Sequence, residues 1–241
     1  MLSTSQLTLS AIKPLFKMQK IITSMILMCL AIFSAASAQP SFKGGQTALD
    51  NFIAGKIIYP EFSSQNCIEA TIQVSFLVSP NGQVTDARVQ QGPGIDLDDE
   101  AVRVVKLTSG KWQIPAGYNN AVRVVLPIRF RPDYIKCQKR TGTTMNMNEA
   151  ITAYQKRQEL ENAVTNYYIN KRAGKADVQK EGTIQALKTE LGIDDDLYNE
   201  LLDQASQKLK QGDKEGACKD WKFIRDTGSD LADTYLAKYC N

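Results

Sequence analysis

The 241-residue chain contains no histidine. That takes imidazole out of every catalytic or metal-binding scheme, so Ser-His and Cys-His nucleophiles and His-based zinc sites are excluded. The groups left with chemical potential are cysteines and clustered acids. Cys67, Cys137, Cys218 and Cys240 lie beyond residue 38, and Cys29 lies before it. None belongs to a CxxC pair, which sets aside thioredoxin-like exchange and structural zinc. Four thiols in an exported chain read instead as two disulfides, with three pairings open. The plain alternative is four buried free thiols. Asp96, Asp98, Asp99 and Glu100 form an acidic cluster, but it lacks the ligand spacing and glycine of a calcium loop. Acids at the start of a helix are favoured by its dipole, which accounts for this cluster and for Asp194-Asp195-Asp196. Gly44-Gly45 and Gly92-Pro93-Gly94 do not make a phosphate loop. Tyr59, Trp112 and Tyr118 can stack on a glycan or peptide, yet read first as packing residues. No catalytic residue, metal ligand or cofactor is assigned, and the chain is not read as an enzyme.

Whether the thiols meet an oxidising compartment depends on the N-terminal segment. Lys17 and Lys20 precede an apolar run from Ile21 to Phe33. Ala36-Ser37-Ala38 then has the small-x-small form of a signal-peptidase site. Residues 1–38 therefore read as a signal peptide starting at Met1 or Met18, with the mature chain beginning near Gln39. The runner-up is an uncleaved inner-membrane anchor, since the run to Ala38 just reaches spanning length. Met28 is too bulky before Cys29 for a lipoprotein signal. No later apolar stretch approaches that length, so no transmembrane segment is expected to be retained. Lys13, Lys17 and Lys20 are the only charges of the leader, and the remaining bases balance the 26 acids. That balance argues against a nucleic-acid binder.

The elements that must position these groups fall into two halves. All eight prolines lie at or before Pro132. The first half reads as strands and turns with some helix, and the second as helices. The expected division is a domain at 39–138, a linker at 139–147 around Thr141-Gly142-Thr143-Thr144, and a helical domain at 148–241. Thr47–Ala54 reads as a short helix with Ala48, Phe52 and Ile53 turned inward, ended by Gly55. Ile68, Ala70, Ile72, Val74, Phe76 and Val78 alternate with polar neighbours, the period of a strand with one buried face. Pro80-Asn81-Gly82 makes a turn, and Val84–Val89 returns. Asp96 is expected to cap a helix whose apolar stripe is Leu97, Ala101, Val104 and Val105. A last strand over Ala121–Phe130 places Val122, Val124, Leu126, Ile128 and Phe130 on one face. Pro127 cannot donate to a ladder, so this strand belongs at an edge. The fold class is α+β: a small antiparallel three-stranded sheet with helices, followed by an all-α domain.

Several of these segments, in this order, resemble the TonB C-terminal domain. They are Phe52 through Tyr59-Pro60, Ile72-Gln73-Val74-Ser75-Phe76, Asn81-Gly82-Gln83-Val84 and Leu97-Asp98-Asp99-Glu100-Ala101. Lys111-Trp112 with Pro115-Ala116-Gly117, and Leu126-Pro127-Ile128-Arg129-Phe130, complete the set. The resemblance covers about residues 43–132. It implies a periplasmic, non-catalytic domain that grips a short peptide of an outer-membrane receptor by strand addition, in TonB-dependent transport. The binding edge it implies here is Ala121, Val122, Arg123, Val124 and Val125. Arg123, facing away from Val122 and Val124, is then available to an acidic ligand residue. The resemblance also makes the first and last strands antiparallel neighbours, which brings Cys67 and Cys137 together as one disulfide. Two departures stand out: no long proline-rich spacer separates leader from domain, and about 100 residues follow it.

In the tail, Leu197, Leu201, Ala205 and Leu209 form one helical stripe, and Ala217, Cys218, Trp221 and Ile224 the next. Gly228 breaks the pattern before Leu231, Ala232, Tyr235, Leu236 and Tyr239. Reversal at Gly228 returns Cys240 toward Cys218, the second expected bridge. Gly212-Asp213-Lys214-Glu215-Gly216-Ala217-Cys218 and its surroundings resemble a terminal tetratricopeptide or Sel1-like unit, a family of protein-binding scaffolds. Two functions follow from different classes. One is a periplasmic peptide-binding module with an outer-membrane receptor or envelope protein as partner, a second copy of the chain being another candidate occupant. The alternative is a cell-envelope structural or assembly factor that uses its helical tail as the main interface.

Overall fold

The computed structural model describes residues 39–133, 135, 137 and 145–240. The leader and most of the expected linker lie outside the described residues. Gln39 and Pro115–Tyr118 group apart from the remainder.

The alternating apolar residues make β2 (Ala70–Val78) the centre of a three-stranded antiparallel sheet. Its Ile72, Val74, Phe76 and Val78 are fully buried. On one side it pairs with β3 (Val84–Gln91), on the other with β5 (Val124–Phe130). The hairpin to β3 needs Gly82, whose φ is +80°. A Cβ there would lie 2.6 Å from the carbonyl oxygen of Trp112. Before the sheet come β1 (Ser41–Phe42), α1 (Gly45–Ala54) and α2 (Glu61–Gln65); α3 (Asp96–Leu107) and β4 (Trp112–Gln113) separate β3 from β5. β1 and β4 make a second, two-stranded ladder.

Helix α3 buries Leu97, Ala101, Val104 and Val105, the expected stripe. Trp112 completes the core against Phe42 and Phe76, and its indole N–H donates to the Thr108 hydroxyl at 2.9 Å. Tyr59 packs edge-on against Phe130 and its hydroxyl donates to the Ile68 carbonyl. Three expectations are corrected. Helix α1 starts at Gly45, and its inward face is Leu49 with the expected Ile53, while Ala48 and Phe52 lie at the flank and are only half-buried. The N-cap of α3 is Ile95, not Asp96. Asp96 is drawn instead to α2, where its carboxylate accepts from the Ser63 N–H at 3.1 Å and from the Ser63 hydroxyl. The last strand begins at Val124 rather than Ala121, since Ala121 and Val122 turn back on Asn119.

The tail is all helical. It runs through α4 (Met147–Arg172), a 3-10 turn (Val178–Lys180), α5 (Glu181–Leu191), α6 (Asp195–Lys210), α7 (Lys214–Asp226) and α8 (Asp233–Tyr239). A capping box between Asn146 and Glu149 starts α4. Asp194 and Asp213 cap α6 and α7 through Leu197 N–H and Gly216 N–H. Val164, Ala205, Ala217, Trp221 and Ile224 are fully buried in one core, with Tyr167 and Tyr168 beside them. Among the described residues no helix is long and apolar enough to cross a membrane.

Disulfides join Cys67 to Cys137 and Cys218 to Cys240, each with Cα atoms 5.7 Å apart. The first closes the longer loop, 70 residues against 22. In the chain-entropy account it restricts the unfolded state by about 4 kcal/mol, and the second by about 3 kcal/mol.

Candidate functional site

A three-stranded sheet has two edges, and the sequence treats them differently. Along β3 the pairing with β2 shifts register twice, between Gln73 and Val74 and between Ser75 and Leu77. At the second shift Asp86 takes a left-handed conformation, φ +47°. Bulges of this kind twist an edge and interrupt its donors and acceptors. β5 instead holds seven consecutive pairs, from Ala70 opposite Phe130 to Phe76 opposite Val124.

Pro127, opposite Gln73, fixes which way the backbone of β5 points. Lacking an N–H, it fits where its nitrogen faces away from β2. Residues two apart in a strand direct their N–H and C=O groups the same way, so Val125 and Arg129 present theirs outward too. Val124, Leu126, Ile128 and Phe130 are then bonded to β2. The side chains follow the same parity. Leu126, Ile128 and Phe130 are buried, whereas Val125 is 45% exposed and Pro127 and Arg129 are exposed. Arg129 makes no ion pair among the described residues.

Of the five residues expected to form the edge, only Val124 and Val125 lie in β5. Ala121, Val122 and Arg123 precede it. Arg123 is committed within the chain. Its guanidinium crosses the open face of β2, donating to the Ser75 hydroxyl at 3.1 Å and the Ser75 carbonyl at 2.8 Å. It continues to the carboxylate and carbonyl of Asp86 at the bulge. That hydrogen bond holds the Asp86 carboxyl below the usual aspartate range. Ser75 is buried beneath it, although its parity is that of the open face. Sequence reasoning gave Arg123 the right face and missed its partner, because Asp86 reaches it only through the bulge.

The opposite side of this region is taken by the tail. Phe62 of α2 packs on Tyr154 of α4, ring centroids 5.1 Å apart. Arg157 bridges Glu61 and Glu161, at 3.2 and 2.6 Å. Arg103 of α3 binds Glu100 and the Lys56 carbonyl, and reaches Gln211 and Asp213 in the α6–α7 turn at 3.0 and 3.4 Å. Lys219 meets Asp99 at 2.7 Å. Burial, then the carboxylates of Asp96 and Asp99, push the Tyr154 hydroxyl up to about 12. Burial also raises Glu61 and Asp96 above ordinary carboxylates, against the pull of Arg157 on the first and of Ser63 on the second. The acidic cluster of α3 is thus split among α2, the tail and the loop at Gly94, whose N–H donates to Asp98 at 2.9 Å.

Part of this region is matched by sequence to a known family. Residues 56–132 match the family described as Gram-negative bacterial TonB protein C-terminal. The TonB-like region is about a third of the chain, and the matched family is periplasmic and non-catalytic. A solution structure of the TonB C-terminal domain of Helicobacter pylori is similar at 25% identity, covering 35% of this chain and 89% of that one, with a TM-score of 0.30. No curated protein matches the chain at a significant level. The comparisons give no tetratricopeptide or Sel1 repeat in the tail. Among the described residues no group of three or more Cys, Asp and Glu can hold a metal ion.

Proposed function

We propose that the chain is a periplasmic protein-binding module that captures an extended peptide of an outer-membrane receptor on the open edge of β5, in TonB-dependent transport. The proposed organisation is a cleaved leader at 1–38, the TonB-like domain at 39–138, a linker at 139–147 and the helical domain at 148–241. One observation carries the reading: β5 is an edge strand in continuous register with β2, whose outward side offers the backbone groups of Val125 and Arg129 on either side of the donor-less Pro127, while the other edge is bulged. A peptide strand satisfies such groups by β-augmentation, and side-chain contacts select among peptides. With Arg123 committed to Asp86, the cation available beside such a peptide is Arg129.

The test is titration of peptides from the periplasmic segments of outer-membrane receptors against the full mature chain. Val125→Pro removes an outward donor without touching the ladder to β2, and binding is expected to weaken at least about tenfold, or 1.4 kcal/mol. Val124→Pro would instead remove the donor at the pair with Phe76, so it perturbs the ladder to β2 rather than the outward edge. Undiminished binding by a folded Val125→Pro protein would move the site away from β5. The tail would then be the next candidate, where Leu231 and Tyr235 are exposed.

A further inference from the structure

We propose that Gln39 is a modification site: once the leader is removed, its α-amine closes on its own side-chain amide to give a pyroglutamyl terminus. The proposal rests on reading residues 1–38 as a cleaved leader. The small-x-small site Ala36-Ser37-Ala38 ends immediately before Gln39, so cleavage there makes this glutamine the first residue. The reaction balances without a co-reactant. A bond forms between the Gln39 backbone nitrogen and Cδ, the Cδ–Nε2 bond breaks, and Nε2 leaves as ammonia with a proton from the amine. The nucleophile and the carbonyl belong to one residue, so their encounter is intramolecular and closes a five-membered lactam.

The fold leaves these atoms free to react. Gln39 is exposed, and neither its backbone nor its side chain makes a hydrogen bond among the described residues. The next residue, Pro40, has no N–H to engage the glutamine amide. From Pro40 onward the chain is held. Pro40 is buried, Ser41 pairs with Gln113, and Phe42 is packed against Trp112 and Phe52. Lys43 fixes the same stretch, its backbone N–H donating to the Lys111 carbonyl at 2.8 Å and its ammonium to the Gly110 carbonyl at 2.9 Å. Gln39 is therefore one residue from the packed fold. Cyclisation removes the terminal positive charge, which a free α-amine carries below a pKa of about 8. It also removes the primary amine that an aminopeptidase needs, at a terminus with almost no expendable length.

The experiment is to express the full chain with its own leader in a Gram-negative host. Periplasmic protein is treated with an amine-reactive reagent at neutral pH, digested, and its N-terminal peptide sequenced by tandem mass spectrometry. The expected peptide begins at residue 39, is one ammonia lighter than the glutaminyl form, and carries no label on its terminus. A Gln39→Ala chain processed in parallel is expected to take the label in full. A terminus at Gln39 that is labelled in full overturns the modification while leaving the leader reading intact. A peptide beginning upstream of residue 39 overturns the leader reading, and the modification with it.

Discussion

Arg103 and Asp213 are separated by 110 residues of sequence and 3.4 Å of space. The contact ties the polar side of α3 to the turn between α6 and α7, and it is the deepest of the ion pairs that join the TonB-like region to the tail. The Arg103 side chain is only 11% exposed, and Glu100 beneath it 5%. Burial opposes its charge, and Glu100 and Asp213 more than offset that cost, so its pKa lies above the ordinary arginine value. Arg103→Met is expected to lower stability by about 3 kcal/mol, because it strands a buried carboxylate. Lys219→Ala removes an exposed pair from the same junction and is expected to cost under about 1 kcal/mol. Urea unfolding of the two variants checks the difference. Equal losses would mean that Arg103 does not anchor the junction.

Gly228 is where the tail is least tolerant of a side chain. Its φ is +98°, and a Cβ would lie 2.3 Å from the Tyr168 ring. Tyr168 is held from both sides, edge-on by Tyr167 and under the Lys188 ammonium at 5.2 Å, so the ring cannot simply swing away. Gly228→Ala is expected to cost about 2–3 kcal/mol, from backbone strain together with overpacking. Tyr168→Leu in the same chain is expected to recover part of that loss, leaving the backbone contribution. Calorimetric melting of the single and double variants measures both, and strictly additive losses would rule out the ring contact.

Much of this architecture was legible because it depends on short-range periodicity. The alternation from Ile72 to Val78 identified the central strand, Pro127 placed the last strand at an edge, and Gly228 marked the reversal that brings Cys240 to Cys218. Other features depend on packing that one segment cannot encode. Helix α4 shows no single apolar face, since Tyr154 turns to Phe62 of the TonB-like region while Val164, Tyr167 and Tyr168 turn to the tail core. Its two halves cancel as a periodic signal. Helix α2, Glu61–Gln65, is too short to show a period at all. The strand limit at Val124 was missed because the apolar alternation continues to Val122, while the backbone turns back on Asn119. Nothing in the sequence around Arg103 sets it apart, and only its distant partners in the α6–α7 turn distinguish it.

Asp220 gives the tail a pH dependence of definite sign. It is 9% exposed, and both of its oxygens lie within 2.8 Å of the Lys208 ammonium. Burial raises its pKa from 3.8, and the pull of Lys208 offsets this only in part. The folded state therefore holds this proton more tightly than the unfolded state. Its contribution to stability is full below the unfolded pKa and is lost as pH rises through the folded one. Asp220→Asn removes the titration. Relative to the parent, the variant is expected to gain stability as pH rises above the ordinary aspartate value of 3.8 and through the raised folded one. Chemical unfolding of both proteins at several pH values tests this. A difference that does not change with pH would show that Lys208 compensates the buried carboxylate completely.

Arg123 separates a role in architecture from a role in recognition. Its guanidinium satisfies the carbonyls of Ser75 and Asp86 where the β2–β3 ladder is bulged, and it covers the Ser75 hydroxyl. Losing it uncovers these groups to water rather than sealing them in a dry core, so the cost should be that of a few partly exposed hydrogen bonds, about 1 kcal/mol. Lysine cannot reproduce the forked geometry that spans both carbonyls, so Arg123→Lys is expected to lose nearly as much as Arg123→Ala. Neither variant changes the outward backbone of Val125 and Arg129. Receptor-peptide affinity is therefore expected to stay within about twofold, less than 0.5 kcal/mol. Arg129→Glu is expected to do the reverse, leaving stability nearly unchanged and weakening peptides that carry an acid at the matching position. Urea unfolding and peptide titration on the same four proteins would separate these effects. A loss of affinity in Arg123→Lys as large as that in Arg129→Glu, with no loss of stability, would mean that Arg123 leaves Asp86 to meet the ligand.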